Sequence, residues 1–302
     1  NTEPFTHFNG LKRTRKVNGE KTIELTVLPS TKNAHAFNLI EEESIINALD
    51  DDYVIKKLNE QSRGKKYIKQ ATAIHDFYVN LINKQQPRIH NGSITFQNYM
   101  QMVFEDTPHT FVAIDFFPAR SFENLGNDNR LALLQKGLDR FKAEFELVGN
   151  QVRFKERIGN DTDFQFRYGH NIKSIKREVD TTNLATRIRG TGDPELGVEA
   201  EYISPNEAIF GIIDAPPVND ERFKSEPALL EEMKSRLQDT PLVTLTVDFV
   251  DLRAAGYPYT VPNEGDRVWL IYEPMNDLLI ETRILEIVEY FDTDLNVIKT
   301  EV

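Results

Sequence analysis

Six histidines and no cysteine decide which chemistries this chain can hold: His7, His35, His75, His90, His109 and His170. Without cysteine there is no thiol nucleophile, no zinc–thiolate cluster and no disulfide. Every cysteine–histidine hydrolase mechanism is thereby excluded. No two histidines stand at the spacing of the paired ligands that zinc peptidases use, so such a site would need ligands gathered from distant segments. His75 is followed by Asp76, an imidazole beside a carboxylate. If both lie on a strand, their side chains point to opposite faces, which denies them the hydrogen bond of a catalytic dyad and makes His75 a structural residue. Asp50-Asp51-Asp52, Asp161 with Asp163, and Asp292 with Asp294 carry oxygen ligands suited to calcium. None has the EF-hand spacing, and acidic runs of this kind are commonly solvated turns. Glu41 and Glu43 could serve a glycosidase, but no sugar-binding aromatic cluster lies nearby in sequence. Gly190-Thr191-Gly192 lacks the helix and lysine of a phosphate loop. The sequence therefore assigns no catalytic, cofactor-binding or metal-binding residue.

One basic run stands out, Lys12, Arg13, Arg15 and Lys16, with a lesser one at Lys173, Lys176 and Arg177. The chain as a whole is acidic, with a net charge of −12 and a pI near 5.1 over 302 residues. That is the wrong sign for a protein that grips nucleic acid by its phosphates. The cations of the first run are expected to make intersubunit or partner contacts, or else to line a solvated strand edge, where they would discourage unwanted pairing. Hydrophobic residues at 39% and charged residues at 28% are globular values. The length suggests two or more domains. No apolar run approaches the ~20 residues of a spanning helix, and the polar start, Asn1 to Gly10, has no signal-peptide core.

The elements that would position these groups divide into four segments. Residues 1–84 read as a first antiparallel β-barrel. Thr22 to Leu28 alternates Ile23, Leu25 and Val27 with polar neighbours, and Asn18-Gly19 before it is a type I′ hairpin signal. Tyr53 to Glu60 and Tyr67 to Leu81 flank a turn at Ser62-Arg63-Gly64. The second of these fits a strand, although Ile68, Ala71, Ile74, Tyr78 and Leu81 also recur at helical spacing. Residues 85–168 read as an α+β domain. Ser93 is a cap for a helix from Ile94 to Phe104, and Asn127-Asp128-Asn129 offers one for a helix whose stripe is Leu131, Leu134, Leu138, Phe141 and Phe145. Gly149-Asn150 then turns one strand onto the next. Residues 169–192 and 241–302 read as a second barrel, with Val243, Leu245, Val247 and Phe249 on one buried face. An inserted unit, 193–240, carries a helix with Pro227 at its first position and Leu230, Met233 and Leu237 buried. Trp269, the single tryptophan, falls in an apolar strand and is expected in the core.

Two phrases carry a resemblance. Val179 to Asn183 reads VDTTN and runs into NLATRIRGTG, ending at Gly192. The run from Pro241 puts a Val/Thr strand before Gly265-Asp266 and a further apolar strand. Together they resemble siphophage and prophage tail-tip hub proteins, the family often named prophage endopeptidase tail, and the order of segments resembles the contractile-phage baseplate hub protein. The resemblance implies an α+β, multidomain hub fold with two antiparallel β-barrel-like tube domains and two smaller α+β units. It implies a homotrimer at the virion tail tip, made in the bacterial host cytoplasm. There it would join the distal tail protein and tail tube, with the tape-measure protein as a further partner, and open for DNA that passes without specific binding. Relatives often continue into a cell-wall hydrolase or receptor-binding region. The alternatives are a peptidoglycan endopeptidase with a site assembled across domains, and a carbohydrate-binding adhesin. The residues favour a non-enzymatic virion structural protein with no cofactor.

Overall fold

A computed structural model describes residues 2–64, 66–251 and 261–302, with the side chains of Arg63 and Lys66 left aside. In chain order, β1 (Gly10–Lys16) and β2 (Thr22–Val27) form a hairpin, and α1 (Ala34–Phe37), β3 (Ile45–Ala48), β4 (Asp51–Arg63) and β5 (Lys66–His75) follow. Next come α2 (Asp76–Ile82), β6 (Gln85–Gln86), β7 (His90–Ile94), α3 (Phe96–Phe104), β8 (Thr110–Ala113), β9 (Arg120–Leu125) and β10 (Asp128–Asn129). The middle is completed by α4 (Arg130–Phe141), β11 (Glu144–Val148), β12 (Gln151–Lys155) and β13 (Asp161–Arg167). Then β14 (Ile172–Asp180), β15 (Arg187–Thr191), β16 (Glu199–Ile203), α5 (Glu207–Phe210), β17 (Val218–Asn219) and α6 (Glu226–Arg236) follow. The last strands are β18 (Leu242–Phe249), β19 (Arg267–Tyr272), β20 (Leu278–Arg283), β21 (Glu286–Phe291) and β22 (Val297–Glu301). The fold is mixed, mostly strands with few helices, and no described helix is long and apolar enough to cross a membrane.

The chain forms two compact units, residues 1–174 with 247–302, and residues 175–246. A nine-stranded sheet in the order β14-β18-β22-β21-β1-β2-β5-β4-β3 dominates the strand pairing. Among the described residues this order is open, with no pairing that closes the sheet into a barrel. The β4–β5 hairpin predicted around Ser62-Arg63-Gly64 forms, its register running from Tyr53↔His75 to Arg63↔Lys66. Strand β5 ends at His75, and helix α2 begins at Asp76. The ambiguous stretch Tyr67 to Leu81 is thus strand first and helix second, so the helical recurrence of Tyr78 and Leu81 was the true period of the last turn and a half. The Asn18-Gly19 hairpin forms between β1 and β2, with Asn18 at φ 55° but Gly19 outside the positive region. The loop is therefore wider than a two-residue type I′ turn. Such a turn occurs instead at Leu49-Asp50, with φ 56° and 67°, between β3 and β4.

The inner face of the β1, β2, β4 and β5 strands buries Ile23, Leu25, Val27, Tyr53, Ile55 and Ala73 with Phe291. A second core gathers α2, α3 and α4 over the sheet β11-β12-β8. Helix α4 is capped by Asn129, whose Oδ1 accepts from the Ala132 N–H at 2.9 Å. Its stripe Leu131, Leu134, Leu138 and Phe141 is buried as predicted, while Phe145 lies beyond the helix on β11. Helix α3 starts later than predicted: Thr95, not Ser93, accepts from the Asn98 N–H, and Ser93 sits on β7. The Gly149-Asn150 turn joins Val148↔Gln151.

In the second unit, β15 pairs with β16 and β17 and is covered by α6 through Ile188, Val198, Leu229 and Met233. A Cβ at Gly190 would stand 2.7 Å from the Met233 sulfur, so this glycine makes room for the helix rather than for a phosphate. Leu229 takes the buried place predicted for Leu230, and Pro227 is the second helical residue. On β18 the alternation holds only at its end: Val247 and Phe249 are buried, but Val243 is 45% exposed. Trp269 is a further correction. It is 37% exposed, between buried Val268 and Leu270 on a strand with one solvated face.

Candidate functional site

A cluster of titratable side chains lines a polar cleft of about 450 Å³ in the first unit, at the point where β5 becomes α2. His75 caps α2, its Nδ1 accepting from the Phe77 N–H at 3.1 Å. The proton therefore sits on Nε2, which donates to Asp51 Oδ1 at 3.1 Å. Asp76 Oδ1 stands 3.0 Å from Nδ1. The expected separation of His75 from Asp76 was wrong because it assumed a strand through both residues. Lys21 pairs with the same Asp51. Burial pushes the Asp51 carboxyl up, but the Lys21 and His75 contacts outweigh this and hold it below its ordinary value.

A His–Asp pair alone is half of a hydrolase, since the mechanism needs a nucleophile within hydrogen-bond reach. Among the described residues neither serine nor threonine lines this cleft, and the one hydroxyl there, Tyr78, donates to the Gly19 carbonyl at 2.6 Å. Burial raises the Tyr78 pKa above its ordinary value, so the phenol stays protonated. His109 completes the wall. It is 6% exposed, and burial holds its imidazole below the ordinary histidine value, Asp76 opposing and His75 adding to that shift. Among the described residues no group of three or more His, Asp or Glu side chains is arranged to hold a metal ion. Asp161 faces Arg267 at 3.4 Å. Asp292 accepts from the backbone of Asp294 and Asn296, an acidic turn closed on itself.

The basic run is brought together with carboxylates from two distant segments. Strand β1 is interior, between β2 and β21, so the solvated-edge reading fails. Lys12 lies opposite Glu24 on β2, with Nζ 2.5 Å from Oε1. Arg13 lies opposite Glu289 on β21 and donates to it at 2.8 Å, and Lys16 lies opposite Glu286 at 2.8 Å. Arg15 pairs with Glu264. The pairs of Lys12, Arg13 and Lys16 are cross-strand charge pairs, the sheet counterpart of helical i,i+4 pairs, while Glu264 reaches Arg15 from the turn before β19. Their acceptors lie about ten and more than 240 residues away, and only β1's own cations were visible as a run. Lys173 stands 3.7 Å from Asp248, and Lys176 2.8 Å from Glu178.

A second joint ties β11 to β20. The Arg283 guanidinium forks onto the Glu144 carboxylate, with Nη1 to Oε1 at 2.6 Å and Nη2 to Oε2. It also donates to the carbonyls of Gly265 (2.8 Å) and Ile158 (2.9 Å), while Glu144 accepts from the Ile158 N–H. Burial raises the Glu144 carboxyl, but Arg283 and the Ile158 N–H prevail and lower it. Here Gly159 and Gly265 meet backbone to backbone: a Cβ on Gly159, at φ 86°, would stand 2.1 Å from the Gly265 carbonyl carbon.

Comparison with known proteins gives this arrangement a context. Solved structures share the fold over nearly the whole chain. A prophage tail protein, gp18 of Listeria monocytogenes EGD-e, superposes with a TM-score of 0.71 at 24% identity, covering 100% of this chain and 90% of that one. The 43 kDa tail protein of prophage MuSo2 from Shewanella oneidensis gives 0.71 at 13% identity, covering 98% and 93%. The E. coli c3393 protein, a type VI secretion component described as structurally similar to T4 bacteriophage tail proteins gp27 and gp5, gives 0.56 at 9%, covering 97% and 72%. A search of the curated proteins finds no match. The model of the prophage endopeptidase tail N-terminal domain matches residues 1–75, that of the prophage endopeptidase tail domain residues 83–154, and that of the prophage endopeptidase tail residues 160–300. With three consecutive models of one family accounting for it nearly end to end, the chain belongs to the prophage endopeptidase tail family and is a prophage tail protein similar to baseplate and tail-tip proteins.

Proposed function

We propose that this chain is a non-enzymatic, homotrimeric hub of the tail tip, which closes the tail tube and opens for DNA to leave when the phage meets its host. The observation that carries the reading is the end-to-end fold match to tail proteins and to a component likened to gp27 and gp5. In this reading residues 1–84 form one tube domain, and 169–192 with 241–302 the other. The segments 85–168 and 193–240 are the smaller units, and three copies form a ring around the tail axis. The distal tail protein and tail tube are its neighbours, with the tape-measure protein as a further candidate. Within the basic run, Lys12 and Lys16 keep side chains 30% and 48% exposed and are assigned to partner contacts; Arg13 and Arg15, at 17% and 15%, are committed within the chain. The net charge of −12 per copy suits a passage that must release a polyanion rather than hold it.

Light scattering of the purified chain, alone at high concentration and with the distal tail protein, is expected to give a trimer. Monomer under both conditions would overturn the reading. The family's name favours a second reading, a peptidoglycan endopeptidase, and the cleft at His75 is the place for it. Muropeptide release lost in His75→Ala would establish that reading, while release of nothing by the wild-type chain agrees with the hub.

A further inference from the structure

Strand β3 is the last strand at one end of the nine-stranded sheet, paired among the described residues to β4 alone. The Ile55 N–H donates to the Ser44 carbonyl at 2.9 Å, which makes residues 44 and 55 a hydrogen-bonded pair. Antiparallel pairs alternate, so Ile46 and Ala48 turn their backbone groups to β4, and Ile45 and Asn47 turn theirs to the open side. The edge carries neither of the usual guards, lysine or proline, and Ile45 is 68% exposed on it. Beside it runs a groove of about 1150 Å³ whose apolar floor and walls include Phe5, Leu39, Ile46 and Leu295.

The rim of this groove has one sign. Glu3, Glu41, Glu43, Asp52 and Asp294 line it, and among the described residues no lysine, arginine or histidine does. Of the five, only Glu43 has a cation among the described residues, Lys56 at 2.8 Å. Free backbone donors and acceptors call for another backbone, the apolar wall calls for every second side chain to be aliphatic, and the carboxylates call for cations. A second copy of this chain answers the last demand poorly, because it brings a net charge of −12 to an acidic rim.

We propose that the β3 edge and its groove receive an extended segment of another protein, one that alternates aliphatic residues with Lys or Arg and adds to the sheet as a tenth strand. The contact is short, since β3 offers four residues, so its affinity depends on the charges and weakens as salt is raised. The inference stands on the edge and the groove and does not require the trimer; a chain that stayed monomeric and bound the segment would sink the hub reading and leave this one intact.

The test is fluorescence anisotropy of the full chain with a dye-labelled synthetic peptide of about nine residues alternating Lys and Val. Two controls are run, a Glu/Val peptide of the same length and a Lys/Gly peptide of the same charge. The Lys/Val peptide is expected to bind at least ~10-fold tighter than either control. Asn47→Pro removes an N–H that faces the open side, and Ile45→Lys puts a cation where the apolar contact and the edge need none; each is expected to weaken binding ~10-fold or more. Should circular dichroism show Asn47→Pro unfolded, the exposed Ile45→Lys decides alone. Equal binding of the Lys/Gly peptide, no binding of the Lys/Val peptide, or full affinity in Ile45→Lys would overturn the proposal. Loss of self-association in Ile45→Lys, with no peptide bound by the wild type, would also overturn it and assign the groove to a second copy.

Discussion

Replacing Arg283 by Met should cost this protein about 3 kcal/mol, and the figure can be assembled from the joint itself. The guanidinium makes two bonds to the Glu144 carboxylate and one to each of two backbone carbonyls. Hydrogen bonds to charged partners contribute about 1.5–3 kcal/mol each and neutral ones about 0.5–1.5, before the compensation that water offers a lost bond. Both side chains keep 17–18% exposure, which places the net loss well under the sum and somewhat under the 3–5 kcal/mol of a fully buried pair broken on one side. The unit that contains the joint has roughly 230 residues, and at ~2.1 cal/mol/K per residue its unfolding entropy is about 0.5 kcal/mol/K. A 3 kcal/mol loss then lowers Tm by about 6 °C. Thermal and urea unfolding followed by circular dichroism measure it. Glu144→Met alone should cost a similar amount, and the double variant less than the two together, because the orphaned charge is gone. The pH dependence adds a sign. Glu144 is depressed in the folded chain, so its contribution is present above the ordinary carboxyl value of 4.5 and fades as pH falls through the folded value. In Arg283→Met, burial acts on Glu144 against only the Ile158 N–H and the charge of Arg157, and acid should relieve part of the damage. A Tm drop under about 2 °C, or single costs that add within about 0.5 kcal/mol, would refute this account of the joint.

Gly159→Ala should cost about 3 kcal/mol or more, because its Cβ meets backbone at 2.1 Å. Gly169→Ala, also at positive φ (71°) but with nothing within 4 Å, should cost only the ~1–2 kcal/mol of the left-handed conformation; equal urea midpoints for the two would contradict the close approach. His109 is held neutral by burial, below its ordinary 6.5. The unfolded chain therefore takes a proton that the folded chain refuses, and stability falls as pH drops below 6.5, by at most about 1.4 kcal/mol per pH unit from this group. Denaturation midpoints compared at pH 7 and pH 5 should fall less in His109→Gln than in the wild type, and parallel falls would remove His109 as the cause.

What the sequence made legible was local. The hairpin of β4 and β5, the stripe of α4 and the Gly149-Asn150 turn each announce themselves within a dozen residues. What it hid had two physical causes. At His75 the chain changes from strand to helix with no glycine or proline to mark the break, because the histidine ring itself serves as the cap. At Leu49-Asp50 a tight turn is made without glycine, with Leu49, a residue that rarely takes positive φ, held there by the flanking β3–β4 pairing. The candidate site suffered from distance. Lys12 to Lys16 read as a surplus of cations only while Glu286 and Glu289 were out of sight at the other end of the chain, and Trp269 read as core because apolar neighbours say nothing about which face of a strand is covered.

The pairing of β1 with β21 also governs how the protein comes into being. A ribosome finishes β1, β2, β4 and β5 long before residues 286–291 exist, so for most of synthesis β1 waits as a bare edge whose Arg13 and Lys16 lack the carboxylates they will meet. The contact spans some 275 residues, the kind of long closure that slows folding and leaves intermediates open to wrong pairing. The like charges along that waiting edge repel a second nascent copy of themselves. The same cations that lock the finished sheet thus act as its guard until the far end of the chain arrives.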